Sequence, residues 1–312
     1  MFYLHFGDDR EEQYWLKCFN QQAPALQVVT AKDKVALEKV RWAGVWNPKP
    51  NFFKQFPNLE GVFALSAGVD ALVARDDLPA NLPIMRLIDA GMADQMLDYI
   101  LWVALTLQGD FDRYLQDQQQ KVWQPQPSKS LTKPRIGILG LGTLGLKVAQ
   151  TLSKLGYSVS GWKRIASEEV SIEVLVGDKG LDKLLRQTHL LVNLLPNTPA
   201  TQGLLNNTNL KKLPQGASLV NIGRGQQLVD QDLIGLLDSH HLRLAVLDVF
   251  TNEPLPLAPT PHPFWSHPRI IITPHVAAYT LPELAIEQVV NNLKQLTKNN
   301  KPNGLVNLTK GY

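Results

Sequence analysis

Short apolar runs alternate with amphipathic segments along residues 1–92. This alternation is typical of a parallel sheet, in which each strand is followed by a helix that returns the chain to the same end of the sheet. The apolar runs predict five strands. They are Phe2–Phe6, Leu26–Thr30, Arg41–Trp46, Gly61–Leu65 and Ile84–Leu87.

A longer pattern with a helical period follows, from Ala93 to Gln108. Its apolar residues recur every three or four positions, which puts them on one face of a helix. They are Met96, Ile100, Val103, Ala104 and Leu107. The stretch from Gln116 to Lys133 is rich in Gln, Pro and Ser, and we predict that it is a connector or an exposed arm.

A second alternating series begins at Arg135 and predicts six more strands with helices between them. The strands are Arg135–Leu139, Ser158–Trp162, Leu190–Leu195, Ser218–Asn221, Leu244–Asp248 and Ile270–Ile272. Beyond Thr280 the pattern predicts one amphipathic helix that ends near Lys298. This helix has no evident place in the second series, so we expect it to return to the first.

The second series opens with a glycine-rich turn, Gly140-Leu141-Gly142-Thr143-Leu144-Gly145, between a strand and a helix. In dinucleotide sites of this spacing, the first glycine makes the turn and the second leaves room for a pyrophosphate. The third lets the helix pack on the strand, so that N–H groups at the helix start point at the anion. A purely structural turn could have the same glycines, but the flanking strand and helix favour a ligand site.

A cofactor module that begins in mid-chain must be flanked by something else, and we expect that part to hold the substrate. A chain of 312 residues is also long for one core. The predicted fold class is α/β, with two Rossmann-like lobes built on parallel sheets. A cofactor domain of residues 93–281 is inserted in a flavodoxin-like substrate domain of residues 1–92 and 282–312.

Composition excludes several other classes of protein. The net charge of +3, with no basic run, gives no reason to expect nucleic acid as a partner. Cys18 is the only cysteine, which excludes an internal disulfide and a thiolate metal site and fits a reducing compartment. We predict no metal. No secretion signal and no long apolar segment is evident, so we expect a cytoplasmic protein that does not bind membranes.

The end of the second strand of this series indicates which nicotinamide cofactor would bind. NAD sites place an acid there for the ribose 2′-OH, whereas NADP sites place an arginine nearby. Here Lys163 and Arg164 stand 18 and 19 residues beyond Gly145, and no acid accompanies them. Two solvated surface cations are the alternative. The pair suits a 2′-phosphate, so we predict NADPH, with NADH possible at lower preference.

Three polar residues follow strands of the same series: Arg224, Glu253 and His275. Because parallel strands end at one edge, these side chains should share that edge with the cofactor. An arginine can bind the carboxylate of a 2-keto acid, and a histidine can deliver a proton as hydride arrives. A carboxylate beside the histidine would raise its pKa. Each residue alone could be a turn, strand-end or core residue, but their joint placement favours catalysis.

The chain resembles the D-isomer-specific 2-hydroxyacid dehydrogenases along nearly its whole length. The resemblance is carried by residues 61–70 (GVFALSAGVD), the glycine turn, residues 194–199 (LLPNTP) and the three strand-end segments. Within that family the chain is most similar to the reductases that act on glyoxylate and hydroxypyruvate. The resemblance therefore implies NADPH-dependent reduction of small 2-keto acids by a homodimer joined through the cofactor domain and the helix at 93–108.

The resemblance also implies roles for individual residues. Arg224, Glu253 and His275 would be the catalytic triad, with Arg224 and His275 contacting the substrate. Backbone N–H groups at Ala67 and Gly68 would hold the substrate carboxylate. Further residues are implied to line the two sites: Trp46 at the substrate mouth, where a core aromatic is the alternative, and Leu195, Pro196, Thr198, Ile222 and Asp248 along the cofactor.

Two alternatives stay open. Another dehydrogenase of the family, of the phosphoglycerate or formate type, would have the same triad. So would a dinucleotide-sensing binding protein, since the family includes transcriptional corepressors.

Overall fold

The structure is a computed structural model that describes residues 1–79, 81–126, 133–165 and 171–308. The chain divides into two compact units. The first consists of residues Met1–Met92 and Thr280–Tyr312, and the second of residues Ala93–Tyr279.

The strands in chain order are β1 (Phe2–Phe6), β2 (Val28–Val29), β3 (Trp42–Trp46), β4 (Gly61–Ala64), β5 (Ile84–Arg86), β6 (Ile136–Leu139), β7 (Val159–Lys163), β8 (Glu173–Val176), β9 (Leu190–Asn193), β10 (Ala217–Asn221), β11 (Leu242–Leu247) and β12 (Ile270–Ile272). The helices are α1 (Asp9–Gln22), α2 (Asp70–Val73), α3 (Met92–Gln108), α4 (Phe111–Gln119), α5 (Thr143–Lys154), α6 (Gly177–Gln187), α7 (Asn207–Leu210), α8 (Asp230–Asp238) and α9 (Pro282–Thr297).

The sheet of the first unit is parallel throughout, in the order β2-β1-β3-β4-β5. This is the flavodoxin-like order, in which the chain reverses direction across the sheet between β1 and β3. All four residues of β4 are buried, as expected for a strand covered on both faces. The last helix, α9, packs against α1, so the C-terminal segment belongs to the first unit, as its lack of a place in the second series predicts.

The sheet of the second unit is also parallel, in the order β12-β11-β10-β9-β6-β7-β8. The strand that begins the unit, β6, lies next to β9, where the strand order reverses. This is the doubly wound arrangement, and the predicted α/β class is confirmed. The glycine turn directly follows β6, so it lies at that reversal point, where open α/β sheets bind ligands.

The structure differs from the predicted elements at two places in the second unit. An additional edge strand, β8, pairs with β7. The predicted connector at 116–133 begins inside α4, and its residues 127–132 lie outside the described part of the chain. Arg243 on β11 anchors α4 because its guanidinium binds Asp110 and Asp112 at the start of that helix. In the described ranges, no helix is long and apolar enough to cross a bilayer.

Candidate active site

The three glycines of the turn after β6 have three different local environments. Gly140 has φ +99°, in the region that favours glycine, and a Cβ there would lie 2.9 Å from the Leu194 carbonyl oxygen. A Cβ on Gly145 would lie 2.0 Å from the Gly140 carbonyl oxygen, so only glycine lets α5 approach the turn. A Cβ on Gly142 would meet nothing within 4 Å. Packing therefore explains Gly140 and Gly145, whereas Gly142 borders open space.

The open space beside Gly142 lies at the N-terminus of α5, a helix of 12 residues. Gly142 provides no side-chain cap, so the N–H groups of Thr143, Leu144 and Gly145 depend on solvent or a ligand. Gly142 and Thr143 are exposed. Donors without an acceptor among the described residues, and the positive end of the helix dipole, suit a pyrophosphate, so the residues present fit a dinucleotide.

The predicted cation pair, Lys163 and Arg164, lies at the carboxyl end of β7 and is called the rim below. Lys163 is the last residue of β7, and Arg164 follows it. An N–H of Arg164 (Nη2) donates to the Ala200 carbonyl at 2.8 Å, which joins this rim to the loop after β9. That loop is closed by Thr201, whose hydroxyl donates to the Pro196 carbonyl at 2.7 Å and accepts from the Thr198 N–H at 2.9 Å. Pro196 and Thr198 thus lie on a turn that is joined to the end of β7.

Three buried carboxamides fix the loops after β9 and β10. Asn193, Asn221 and Gln227 are fully buried, and the Asn193 Nδ2 group donates to both of the other two. Gln227 Nε2 donates to the carbonyls of Leu195 and Pro196 at 3.0 and 2.9 Å. A single side chain therefore ties the predicted cofactor-lining loop to the segment that carries Arg224, the arginine of the predicted triad.

The same carboxamides hold the backbone around Arg224. Its N–H donates to Gln227 Oε1 at 3.1 Å, and its carbonyl accepts from Asn221 Nδ2 at 3.2 Å. Ile222, just before it, is buried. A Cβ on Gly225 would lie 1.9 Å from the Phe250 carbonyl carbon, so this loop touches the loop after β11. Arg224 is half-buried, and its Nη1 group donates to the Gly223 carbonyl at 2.8 Å.

Glu253 and His275 form the pair that the sequence predicts. Glu253 Oε2 lies 2.8 Å from His275 Nδ1, while Glu253 Oε1 accepts from the Phe250 N–H at 2.9 Å. The hydrogen bond to Glu253 raises the pKa of His275, against the opposing effect of burial. Burial alone would raise the pKa of Glu253, but His275 and the Phe250 N–H together lower it. The two directions agree and favour an imidazolium–carboxylate pair.

Arg224 belongs to the same electrostatic group. Its positive charge lowers the pKa of both His275 and Glu253. The structure thus brings together all three residues of the predicted triad, at the ends of β10, β11 and β12. A guanidinium beside a protonated imidazole is suited to hold an anion and to neutralise an oxygen that gains negative charge.

Asp248, predicted to lie along the cofactor, is 1% exposed and binds the turn that carries His275. Its Oδ1 accepts from the Thr273 hydroxyl at 2.6 Å and from the Val276 N–H at 2.8 Å. Its Oδ2 accepts from the Ala277 N–H at 2.9 Å. Three of about four acceptor positions of the carboxylate are therefore filled by the chain itself.

The remaining predicted residues lie in the first unit. Trp46 ends β3 and is about half exposed, so it is not a core aromatic. Ala67 and Gly68 follow β4 in a turn that Ser66 closes by donating its hydroxyl to the Gly68 carbonyl at 2.7 Å. Within the described ranges, no residue accepts from the N–H groups of Ala67 and Gly68. The turn can therefore offer two donors to an anion.

Comparison with known proteins gives this geometry a family. The sequence profile described as "D-isomer specific 2-hydroxyacid dehydrogenase, NAD binding domain" matches residues 101–277. The chain belongs to the D-isomer specific 2-hydroxyacid dehydrogenase family. The match covers most of the second unit, including the glycine turn and the whole Arg–Glu–His group.

Relatives within this dehydrogenase family match over the full length. Glyoxylate/hydroxypyruvate reductase A of Yersinia enterocolitica is 39% identical over 307 residues, which are 97% of each chain. A D-isomer specific 2-hydroxyacid dehydrogenase from Xanthobacter autotrophicus, solved with NADPH and MES, has a TM-score of 0.92 at 34% identity, covering 100% of this chain and 99% of that one. The NADPH-dependent glyoxylate/hydroxypyruvate reductase of Sinorhizobium meliloti, solved with NADP and sulfate, has a TM-score of 0.90 at 28% identity, with the same coverage.

Five residues that shape the site of this dehydrogenase are not among those that the sequence predicts to line it. They are Asn193, Asn221, Gln227, Tyr99 and Thr273. Two of them carry a readable signal, because Asn193 and Asn221 end strands that are otherwise apolar, and a buried carboxamide needs partners. Gln227 has no such signal.

We predict that Gln227→Leu destabilises the second unit. The change removes the acceptor for Asn193 and for the Arg224 N–H, and the donor for two loop carbonyls, while keeping most of the volume. Unsatisfied buried groups cost about 1–3 kcal/mol each, so the free energy of unfolding should fall by about 3 kcal/mol in urea denaturation. Gln226→Leu is the matched control, since the described contacts include no hydrogen bond of the Gln226 side chain. Equal stability of the two variants would contradict the role of the carboxamides.

Proposed function

We propose that this dehydrogenase reduces small 2-keto acids with NADPH, converting glyoxylate to glycolate and hydroxypyruvate to glycerate. The observation that carries the proposal is the Glu253–His275 pair, which lies beside Arg224 at the same sheet edge as the dinucleotide turn. The printed names of the relatives and the NADPH or NADP bound in related structures support the same substrates and cofactor. The single cysteine is consistent with a reaction in the cytoplasm.

The two units divide the work in this proposal. Residues 93–281 bind the cofactor, and residues 1–92 with 282–312 bind the substrate. In the first unit, the N–H groups of Ala67 and Gly68 bind a carboxylate, and Trp46 lines the substrate mouth. The half-exposed indole and the two donors without described acceptors support these roles.

The cofactor is held by the turn and the rim of the second unit. The N–H groups at 143–145 bind the pyrophosphate, and Lys163 and Arg164 bind the 2′-phosphate. Leu195, Pro196, Thr198, Ile222 and Asp248 line the remainder. When bound, the reduced nicotinamide supplies the hydride.

The chain's own residues supply binding charge and a proton. Arg224 binds the substrate carboxylate and orients the carbonyl group. His275, protonated and hydrogen-bonded through Nδ1 to Glu253, presents Nε2 to the carbonyl oxygen and donates its proton as that oxygen becomes an alkoxide. Glu253 keeps the imidazole charged and correctly oriented until transfer. A positioned acid of this kind contributes about 10²–10⁴-fold to the rate.

We predict that keto-acid reduction falls as the pH rises through the raised pKa of His275, because only the protonated imidazole can donate. Glu253→Gln removes the charge that raises this pKa, so the falling limb of the kcat profile should move to lower pH. His262 and Asp230 form a second such pair in the same unit, at 3.2 Å, and Asp230→Asn should leave the limb in place.

His275→Ala should lose about 10²–10⁴-fold in kcat while its NADPH affinity, measured by fluorescence titration, is retained. Normal turnover of His275→Ala would contradict the proton-donor role.

We predict the order of substrates and cofactors in a steady-state comparison. Glyoxylate and hydroxypyruvate should give higher kcat/KM than pyruvate, and NADPH higher than NADH. Replacing both Lys163 and Arg164 by Ala should lower the NADPH-to-NADH ratio, since two charge-assisted contacts to the 2′-phosphate are lost. NADPH binding without turnover of any keto acid would instead favour a dinucleotide-sensing protein.

We also propose that the protein is a homodimer joined through α3 and α4. Exposed apolar side chains cluster on these two helices and continue into the segment after them, where Trp123 is 100% exposed. The others are Trp102, Leu105, Phe111 and Leu115. A patch of this kind is typical of an interface rather than of a monomer surface. We propose that a second copy of the chain covers this patch, because α3 is the helix through which the family resemblance predicts dimerisation.

One chain has a mass of 34.8 kDa, and we predict that light scattering of the wild-type protein gives twice that mass. Replacing both Phe111 and Leu115 by Asp should give a monomer, because two charges cannot be buried in an apolar contact. Leu257→Asp changes an exposed leucine elsewhere in the same unit and should leave the dimer intact. A monomeric wild type, or a dimer that survives the double change, would contradict the proposed interface.

A further inference from the structure

The backbone at His275 adopts a conformation that residues with a side chain adopt infrequently. Its φ is +56°, in the left-handed region. Such a conformation persists only where surrounding contacts determine it. The turn that carries the proposed proton donor must therefore be held from outside, and the contacts that hold it decide where the imidazole points.

Asp248 supplies most of these contacts. Its carbonyl accepts from the His275 N–H at 2.9 Å, and its carboxylate accepts from the N–H groups of Val276 and Ala277. Three consecutive N–H groups of the turn thus converge on one residue. Because Asp248 is buried, the direction of its carboxyl group depends on the donors that reach it.

The Thr273 hydroxyl also donates to Asp248, and it is in turn hydrogen-bonded to the Tyr99 hydroxyl. Thr273 Oγ1 lies 2.6 Å from Asp248 Oδ1, and Tyr99 Oη lies 2.6 Å from Thr273 Oγ1. An ionised carboxylate only accepts, so the Thr273 proton points to Asp248, and Tyr99 must donate to Thr273. Burial raises the pKa of Tyr99 to about 12, so the phenol keeps the proton that it donates. The order of donation is Tyr99, Thr273, Asp248.

We propose that Tyr99 and Thr273 are positioning residues for His275, acting through Asp248. The proposal rests on the proposed role of His275 as the proton donor. Neither hydroxyl contacts His275. Together they fix the Asp248 carboxylate, which fixes the turn, which holds the imidazole against Glu253 at 2.8 Å.

A loosened turn would be detected through the pKa of His275, because the charged groups around the imidazole set that pKa. Glu253 and Asp248 raise its pKa, and Arg224 lowers it. The Glu253 contact is the largest of these influences and depends on the direction of the imidazole. If Asp248 loses the Thr273 donor and the turn relaxes, His275 moves away from Glu253, and its pKa falls toward that of an ordinary histidine.

The test compares Thr273→Val, Thr273→Ser and Tyr99→Phe in the full-length enzyme, with glyoxylate and NADPH from low to high pH. Thr273→Val should lower kcat by about 10-fold or more, since small displacements of a reacting group have effects of this size. It should also move the alkaline limb of the kcat profile to lower pH, and Thr273→Ser should restore both. Tyr99→Phe removes one neutral hydrogen bond and should lower kcat by about fivefold.

Matched controls separate positioning from folding. Thr188→Val removes a buried hydroxyl of the same unit that donates to the Leu184 carbonyl. Tyr157→Phe removes the hydroxyl of a largely buried tyrosine, and this hydroxyl has no hydrogen bond among the described residues. Both controls should keep the wild-type pH profile. Thermal unfolding and NADPH titration of every variant show the fraction of folded, cofactor-competent protein.

Each result bears on the proposal. An unchanged kcat and limb in Thr273→Val would overturn it. So would a fall in kcat that is equal at every pH and is not restored by serine, because that is the behaviour of a purely structural residue. His275→Ala, assayed in parallel, identifies a failure of the proposed function. Normal turnover of His275→Ala would overturn both the proton-donor role and the positioning role. Loss of turnover in His275→Ala together with an unaffected Thr273→Val would overturn only the positioning role.

Discussion

The candidate site depends on one constraint: a polar group buried at the carboxyl edge of the second sheet must find a partner there. The side chains of this sheet pack into two hydrophobic clusters, and every residue of β9 and β10 is buried. Asn193, Asn221 and Asp248 are nevertheless buried at or directly after the ends of β9, β10 and β11. Each of them would be costly without hydrogen bonds. Their partners are one another's side chains, the Gln227 carboxamide and backbone groups of the neighbouring loops, and this requirement fixes the loops.

A division between anchors and reactive groups follows from this constraint. The anchors are buried and their hydrogen bonds are satisfied, and they bind mainly to backbone. The groups proposed to react stand on that backbone and are open to solvent: the side chain of His275 is 42% exposed, whereas Asp248, which holds its turn, is 1% exposed. A charged group can thus meet a substrate while it stays hydrated, so it does not bear the cost of burial. Preorganisation of this kind lets charge act on a reaction without rearrangement at the moment of transfer.

Much of the fold could be predicted from the sequence, because apolar runs and a helical period report burial directly. The edge strand β8 could not, since only one of its four residues is buried and its pattern gives little signal. The start of α4 could not be predicted either, because this helix is mostly polar and gives little apolar pattern. In the site, the triad was predictable because each member follows a strand. Tyr99 was not, because its partner Thr273 lies 174 residues away, and only the folded chain brings them together.

The bond from Arg164 to the Ala200 carbonyl gives this side chain a second task. A guanidinium has five donors, so one can close the rim while others remain for a phosphate. Redesign of the enzyme toward NADH would ordinarily begin by deleting this arginine. Here the deletion would also free the loop that bears Pro196 and Thr198, along which the rest of the dinucleotide is proposed to lie. A successful exchange of coenzyme would therefore have to supply a new neutral donor for Ala200 as well as remove the charge.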